Sequence, residues 1–143
     1  MKRHAASLAE VRSVYAELAG RPIQRNCLRR TECCQFQRTG KIPQLTRGEA
    51  LLAAQAFRAS GRKFPSLQKD GACPMLQNET GKCLIYESRP FGCRTHFCQA
   101  AGGPIGRQEV LPLIRRLEKV DAELGGDGPH PLPRSIIEAL REL

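Results

Sequence analysis

At 143 residues the chain has the size of one ordinary domain, but it carries no tryptophan, only 5% aromatic residues and as many as seven cysteines, so bulky apolar packing is in short supply. No run approaches the ~18 apolar residues of a membrane span, and Glu10, Arg12 and Glu17 break up the N-terminal stretch before it acquires signal-peptide character. The reading is therefore a cytosolic protein with reduced thiols, and the odd cysteine count argues against a complete disulfide framework; the net charge of +9 points to an anionic partner or simply to solubility.

The periodicity predicts a first helix from His4 to Ala19, with Leu8, Val11, Tyr15 and Leu18 on one stripe and Gly20 and Pro22 as its stop signal. A basic, irregular stretch follows and carries Cys27, Cys33 and Cys34. The next helix is announced by Thr46 and Glu49, a capping box in which each side chain satisfies a free backbone N–H. Its expected apolar face is Leu51, Leu52, Gln55, Ala56 and Ala59, and Gly61 ends it.

The segment "DGACPMLQNETGKCLIYE" reads as a β-hairpin, since turn residues separate two short apolar runs. A turn centred on Asn78 would set Cys73 directly opposite Cys83, with Cβ atoms about 5 Å apart. "ESRPFGCRTHFC" reads as a loop entering a helical turn, with Ser88 as cap and Pro90 in the first turn. A helix over Pro112 to Leu124 (stripe Leu113, Ile114, Leu117, Val120, Leu124) and a last one over Pro133 to Leu143 complete the chain. The predicted fold is mainly α: a single domain over 1–143, of about four helices with a short β-hairpin and a cysteine-rich metal-binding centre. The cysteine-cluster core spans about 27–98 and a C-terminal helical part about 107–143.

The thiols of Cys27, Cys33, Cys34, Cys73, Cys83, Cys93 and Cys98 are all placed in predicted loops, hairpin or helix starts, none on an apolar helical stripe. Loops let short side chains from distant segments converge. In a reduced compartment such thiolates select zinc or iron–sulfur clusters. The spacings favour neither: no Cys-x2-Cys pair of the zinc type exists, and [4Fe–4S] cubanes accept varied spacings. The plain alternative for any one cysteine is a small buried hydrophobe. Arg89 and Arg94 flank Cys93, where positive charge would lower thiol pKa values and supply hydrogen bonds to cluster sulfur; the alternative is a salt bridge to Glu87 or a solvated surface. Tyr86 reads as core, and His4 and His130 as bystanders.

These residues carry a resemblance. "CPML" from Cys73 and "CLIYESRPFGCR" from Cys83 to Arg94, preceded by Cys27-x5-Cys33-Cys34, resemble the YkgJ family of cysteine-cluster proteins, described as zinc- or iron-chelating. The resemblance covers about residues 27–98 and implies a metal centre, a [4Fe–4S] cluster or Zn2+. The family pattern begins Cys-x2-Cys-x2-Cys-Cys, and its second cysteine falls at Arg30 here, with Cys98 or His96 available as substitutes.

Three functions follow. The first is a cytosolic Cys-ligated metal protein with a redox, sensing or structural role. The second is a zinc-stabilised module binding RNA or the ribosome through Arg21, Arg25, Arg29, Arg30, Arg38, Lys41 and Arg47, although Phe36 is the one aromatic there for stacking. The third is a metal-free thiol switch at Cys33-Cys34. No phosphate loop, dinucleotide fingerprint or His-Glu-x-x-His motif marks a known type of enzyme.

Overall fold

The structure is a computed structural model that describes residues 4–21, 42–62, 65, 73–75, 83–95 and 106–143. In chain order its elements are helix α1 (Ala5–Ala19), strand β1 (Gln44–Leu45), helix α2 (Arg47–Ala59) and a 3-10 turn (Tyr86–Ser88). Then come the short helix α3 (Phe91–Thr95), helix α4 (Arg107–Glu123), strand β2 (His130–Pro131) and helix α5 (Leu132–Glu142). The mainly helical class is as the sequence predicts, with α3 as a fifth helix among the described residues.

Helix α2 is the centre of the packing. It contacts α1, α4 and α5, while α1 also packs against α4. Its small residues permit this: a Cβ added at Gly48 would stand 2.8 Å from Val11 Cγ2 and 2.8 Å from Val120 Cγ1. Because neighbours surround it, the buried face is broader than the stripe the sequence suggested. Ala50, Ala53, Ala54 and Phe57 are buried beside Leu51 and Leu52, whereas Ala59 is exposed and Gln55 and Ala56 are half-buried. On α1 the expected stripe is buried and Val14 joins it.

Two predicted boundaries shift. Helix α4 begins at Arg107, not near Pro112, so the proline lies inside the helix. A proline suits a helix start, but Val110 extends the stripe of Leu113, Leu117 and Val120 by a turn and is buried. That burial outweighs the backbone bond a proline cannot donate. The last helix starts at Leu132.

One strand pair among the described residues was not expected from the sequence. β1 and β2 pair antiparallel, Gln44 with Pro131 and Leu45 with His130, and the Leu132 N–H donates to the Pro43 carbonyl at 2.9 Å. Of the predicted hairpin, Cys83 is a β-bridge residue, while Pro74-Met75 and Leu84-Ile85 are turns joined by the Leu84 N–H donating to the Met75 carbonyl at 2.9 Å. Residues 76–82, and with them the proposed register of Cys73 against Cys83, lie outside the described residues.

A buried carboxylate ties the C-terminal end of α4 to the start of α2. Asp121 accepts the Arg47 N–H at 2.7 Å through Oδ1 and the Gly128 N–H at 2.9 Å through Oδ2. Ion pairs between Arg116 and both Glu10 and Glu17 join α4 to α1, and Arg47 pairs with Glu142 across α2 and α5. Among the described residues no helix is long and apolar enough to cross a membrane.

Candidate metal centre

Three of the seven predicted ligands, Cys73, Cys83 and Cys93, fall among the described residues. Cys73 is 4% exposed and belongs to the core; Cys83 and Cys93 are half-buried and pack against its edge. Among the described residues no group of three His, Cys, Asp or Glu side chains is gathered to hold a metal ion. Cys27, Cys33, Cys34 and Cys98, together with His96, lie outside the described residues. So does most of the basic segment; of its described members, Arg21 donates to the Glu109 carbonyl at 2.7 Å and Arg47 pairs with Glu142.

The segment from Cys83 to Thr95 is folded on itself by its two arginines. The 3-10 turn ends at Ser88, Arg89 and Pro90 follow, and α3 then starts. The Pro90 carbonyl accepts the N–H groups of Cys93 at 3.0 Å and Arg94 at 3.2 Å. Arg94 Nε donates to the Arg89 carbonyl at 2.6 Å and its Nη2 to the Glu87 carbonyl at 2.9 Å. The contact with Glu87 is thus to its backbone. The Arg94 guanidinium also lies over the Tyr15 ring, 4.1 Å from the centroid, a cation–π contact to α1. Arg89 repeats the pattern within the turn: Nε donates to the Tyr86 carbonyl at 3.0 Å and the guanidinium stacks 4.0 Å over the Tyr86 ring. Tyr86 is half-buried, a stacking platform and not a core residue as the sequence suggested.

The start of α3 is satisfied from far away in sequence. Its first N–H, on Phe91, donates to Glu49 Oε1 at 2.7 Å. Glu49 is the capping-box residue of α2, and there the expectation holds: Oε2 accepts the Thr46 N–H at 3.0 Å. The same oxygen accepts the Thr46 hydroxyl at 3.0 Å, and Oε1 accepts the Tyr15 hydroxyl at 3.1 Å. One carboxylate, 2% exposed, therefore joins α1, the start of α2 and the start of α3. Local sequence signals found its bond to Thr46 but carry no sign of Tyr15 or Phe91.

The electrostatics follow from burial. Desolvation pushes the Glu49 carboxyl above its ordinary range, against the lowering effect of the hydrogen bonds from Phe91, Thr46 and Tyr15. Desolvation, then the neighbouring Glu49 charge, raises Tyr15 well above the usual phenol value, so it stays neutral and donates. Arg94 is lowered by desolvation, with Tyr15 and Cys93 among the groups that oppose this, so Cys93 lies within its electrostatic reach. His130, read as a bystander, pairs with Asp127 at 2.7 Å and Glu138 at 3.4 Å in the β2–α5 region.

A family profile described as "CxxCxxCC: Putative zinc- or iron-chelating domain" matches residues 26–111. The chain belongs to this family. The matched CxxCxxCC region includes all seven cysteines, β1, α2, α3 and the first turn of α4, while α1 and α5 lie outside it. No curated protein and no solved structure matches the chain in the corresponding comparisons. The donor chemistry of the CxxCxxCC region suits its family's description. Thiolate donors suit zinc or iron better than a hard cation such as magnesium.

Proposed function

We propose that this CxxCxxCC domain holds an iron–sulfur centre with a redox or sensing role, ligated by thiolates drawn from its seven cysteines. Zinc in a structural role is the competing occupant. The observation that supports the reading best is the setting of Cys93. It is half-buried on a five-residue helix whose start is held by Glu49 and whose end is held by Arg94. Thiols that serve only as core hydrophobes need no such anchoring.

Cys83 and Cys73 are the other described candidates. The Leu84-to-Met75 bond keeps their two segments together. Cys27 and one or both of Cys33 and Cys34 would complete the set, with Cys98 or His96 standing in for the cysteine replaced at Arg30. A bound cluster would supply one-electron transfer. Arg89 and Arg94 would supply positive charge beside it, which favours thiolate over thiol.

Metal and acid-labile sulfide analysis of anaerobically purified protein tests the reading. Iron and sulfide in comparable amounts, with a brown colour, support it. A colourless protein with stoichiometric zinc removes the redox role and leaves the chelating one. Protein free of both metals, even after reconstitution, would overturn the proposal.

A further inference from the structure

We propose that Glu49 is a positioning residue for the metal centre, which sets the Cys93 thiol in place before metal arrives by fixing the first turn of α3. The inference rests on the chelating function proposed above and assigns a task to a residue that is not itself a ligand.

A helix of five residues cannot sustain itself, because nucleation costs more than one or two internal hydrogen bonds return. Something outside it must hold α3. At its start, the Phe91 N–H meets Glu49 Oε1 at 2.7 Å; at its end, the Arg94 guanidinium lies 4.1 Å from the centroid of the Tyr15 ring. Cys93 sits between these two anchors. Both anchors converge again on one pair, since the Tyr15 hydroxyl donates to the same Glu49 oxygen at 3.1 Å. The remaining oxygen of Glu49 is taken by the N–H and hydroxyl of Thr46, so the carboxylate has little freedom to turn. The result is a closed path from α2 through Glu49 to Phe91, Cys93 and Arg94, and back through Tyr15 on α1. Metal binding by a disordered loop loses affinity to the ordering of its ligands; a ligand already ordered avoids that loss. Tyr15 lies outside the family match, so one of the two anchors comes from a helix beyond the matched region.

The test compares Glu49→Gln with Asp121→Asn in the full-length protein. Asp121 is another buried carboxylate that caps the start of α2, through the Arg47 N–H, but the hydrogen bonds it makes lead to Arg47 and Gly128. Zn2+ affinity of the reduced apo-protein is measured by competition with a chromophoric chelator, beside iron and sulfide content after reconstitution. Amide exchange of residues 91–95 is followed in the apo-protein. Glu49→Gln is expected to weaken Zn2+ binding by about 10–100-fold and to speed exchange across 91–95. Asp121→Asn is expected to lower the melting temperature while leaving both unchanged. Equal losses of affinity in the two variants would mean general destabilisation and overturn the proposal, as would wild-type affinity in Glu49→Gln. If Glu49→Gln does not fold, Glu49→Asp decides, because it keeps a charge near Thr46 but withdraws from Phe91. Wild-type affinity in Glu49→Asp overturns the proposal. A wild-type protein that takes neither Zn2+ nor iron would instead refute the chelating function itself, and the positioning role with it.

Discussion

The Glu49 carboxylate and the Phe91 amide, 42 positions apart in the chain, meet at 2.7 Å in a buried site. Replacing the carboxylate by an amide at Glu49→Gln leaves fewer acceptor sites for the same donors. An unsatisfied buried donor costs about 1–3 kcal/mol, and a loss of that order is expected in apo-protein denaturation. The effect has a pH dependence of definite sign. Burial raises the folded-state pKa above the ordinary value of 4.5, so over the interval between the two values the folded state keeps a proton that the unfolded state has released. The associated stability is complete below the unfolded value and is lost as pH rises through the folded one. The gap between wild type and Glu49→Gln should therefore narrow as pH increases from about 4 toward neutrality. A gap that widens over this range would contradict the assignment.

Arg94 separates charge from shape. Arg94→Lys keeps the positive charge near Cys93 but loses the planar fork that reaches the carbonyls of both Arg89 and Glu87. If the loop depends on that fork, the lysine variant should lose nearly as much bound metal as Arg94→Ala, read as metal per protein after anaerobic purification. Wild-type metal content in the lysine variant would leave charge as the residue's whole contribution.

Thiol accessibility distinguishes the three described cysteines. Stripping the metal with a chelator should make Cys83 and Cys93, both half-buried, react readily with an alkylating reagent, and reloading should protect them. Cys73, at 4% exposure, should react slowly in either state unless the core opens. Peptide mass mapping after brief alkylation reads this directly, and unchanged labelling of Cys83 and Cys93 on metal removal would exclude them as ligands.

Gly48 tests the packing around α2. Its absent Cβ lets α1 and α4 approach, and a methyl group there would collide with Val11 and Val120 at 2.8 Å. Gly48→Ala should cost about 1–3 kcal/mol by overpacking, despite the better helix propensity of alanine. Thermal unfolding of the variant provides the check; a gain in stability would mean the three helices can separate at little cost.

What the sequence alone determined is local. Apolar spacing located α1, α2, α4 and α5, because a buried helix face must repeat every three to four residues whatever it packs against. Thr46 and Glu49 marked the start of α2, since a capping box closes within one turn. "CPML" and "CLIYESRPFGCR" carried the family resemblance that the match over residues 26–111 shows at the level of a zinc- or iron-chelating domain. Tertiary structure decided the rest. Pro112 became a helix-interior residue because Val110 found a buried place, and β1 and β2 paired although neither two-residue segment has a strand pattern. Glu49 acquired Tyr15 and Phe91, Arg94 acquired the face of Tyr15, and Asp121 acquired the start of α2. Polar side chains choose partners by position in space, and those positions exist only once the helices have packed.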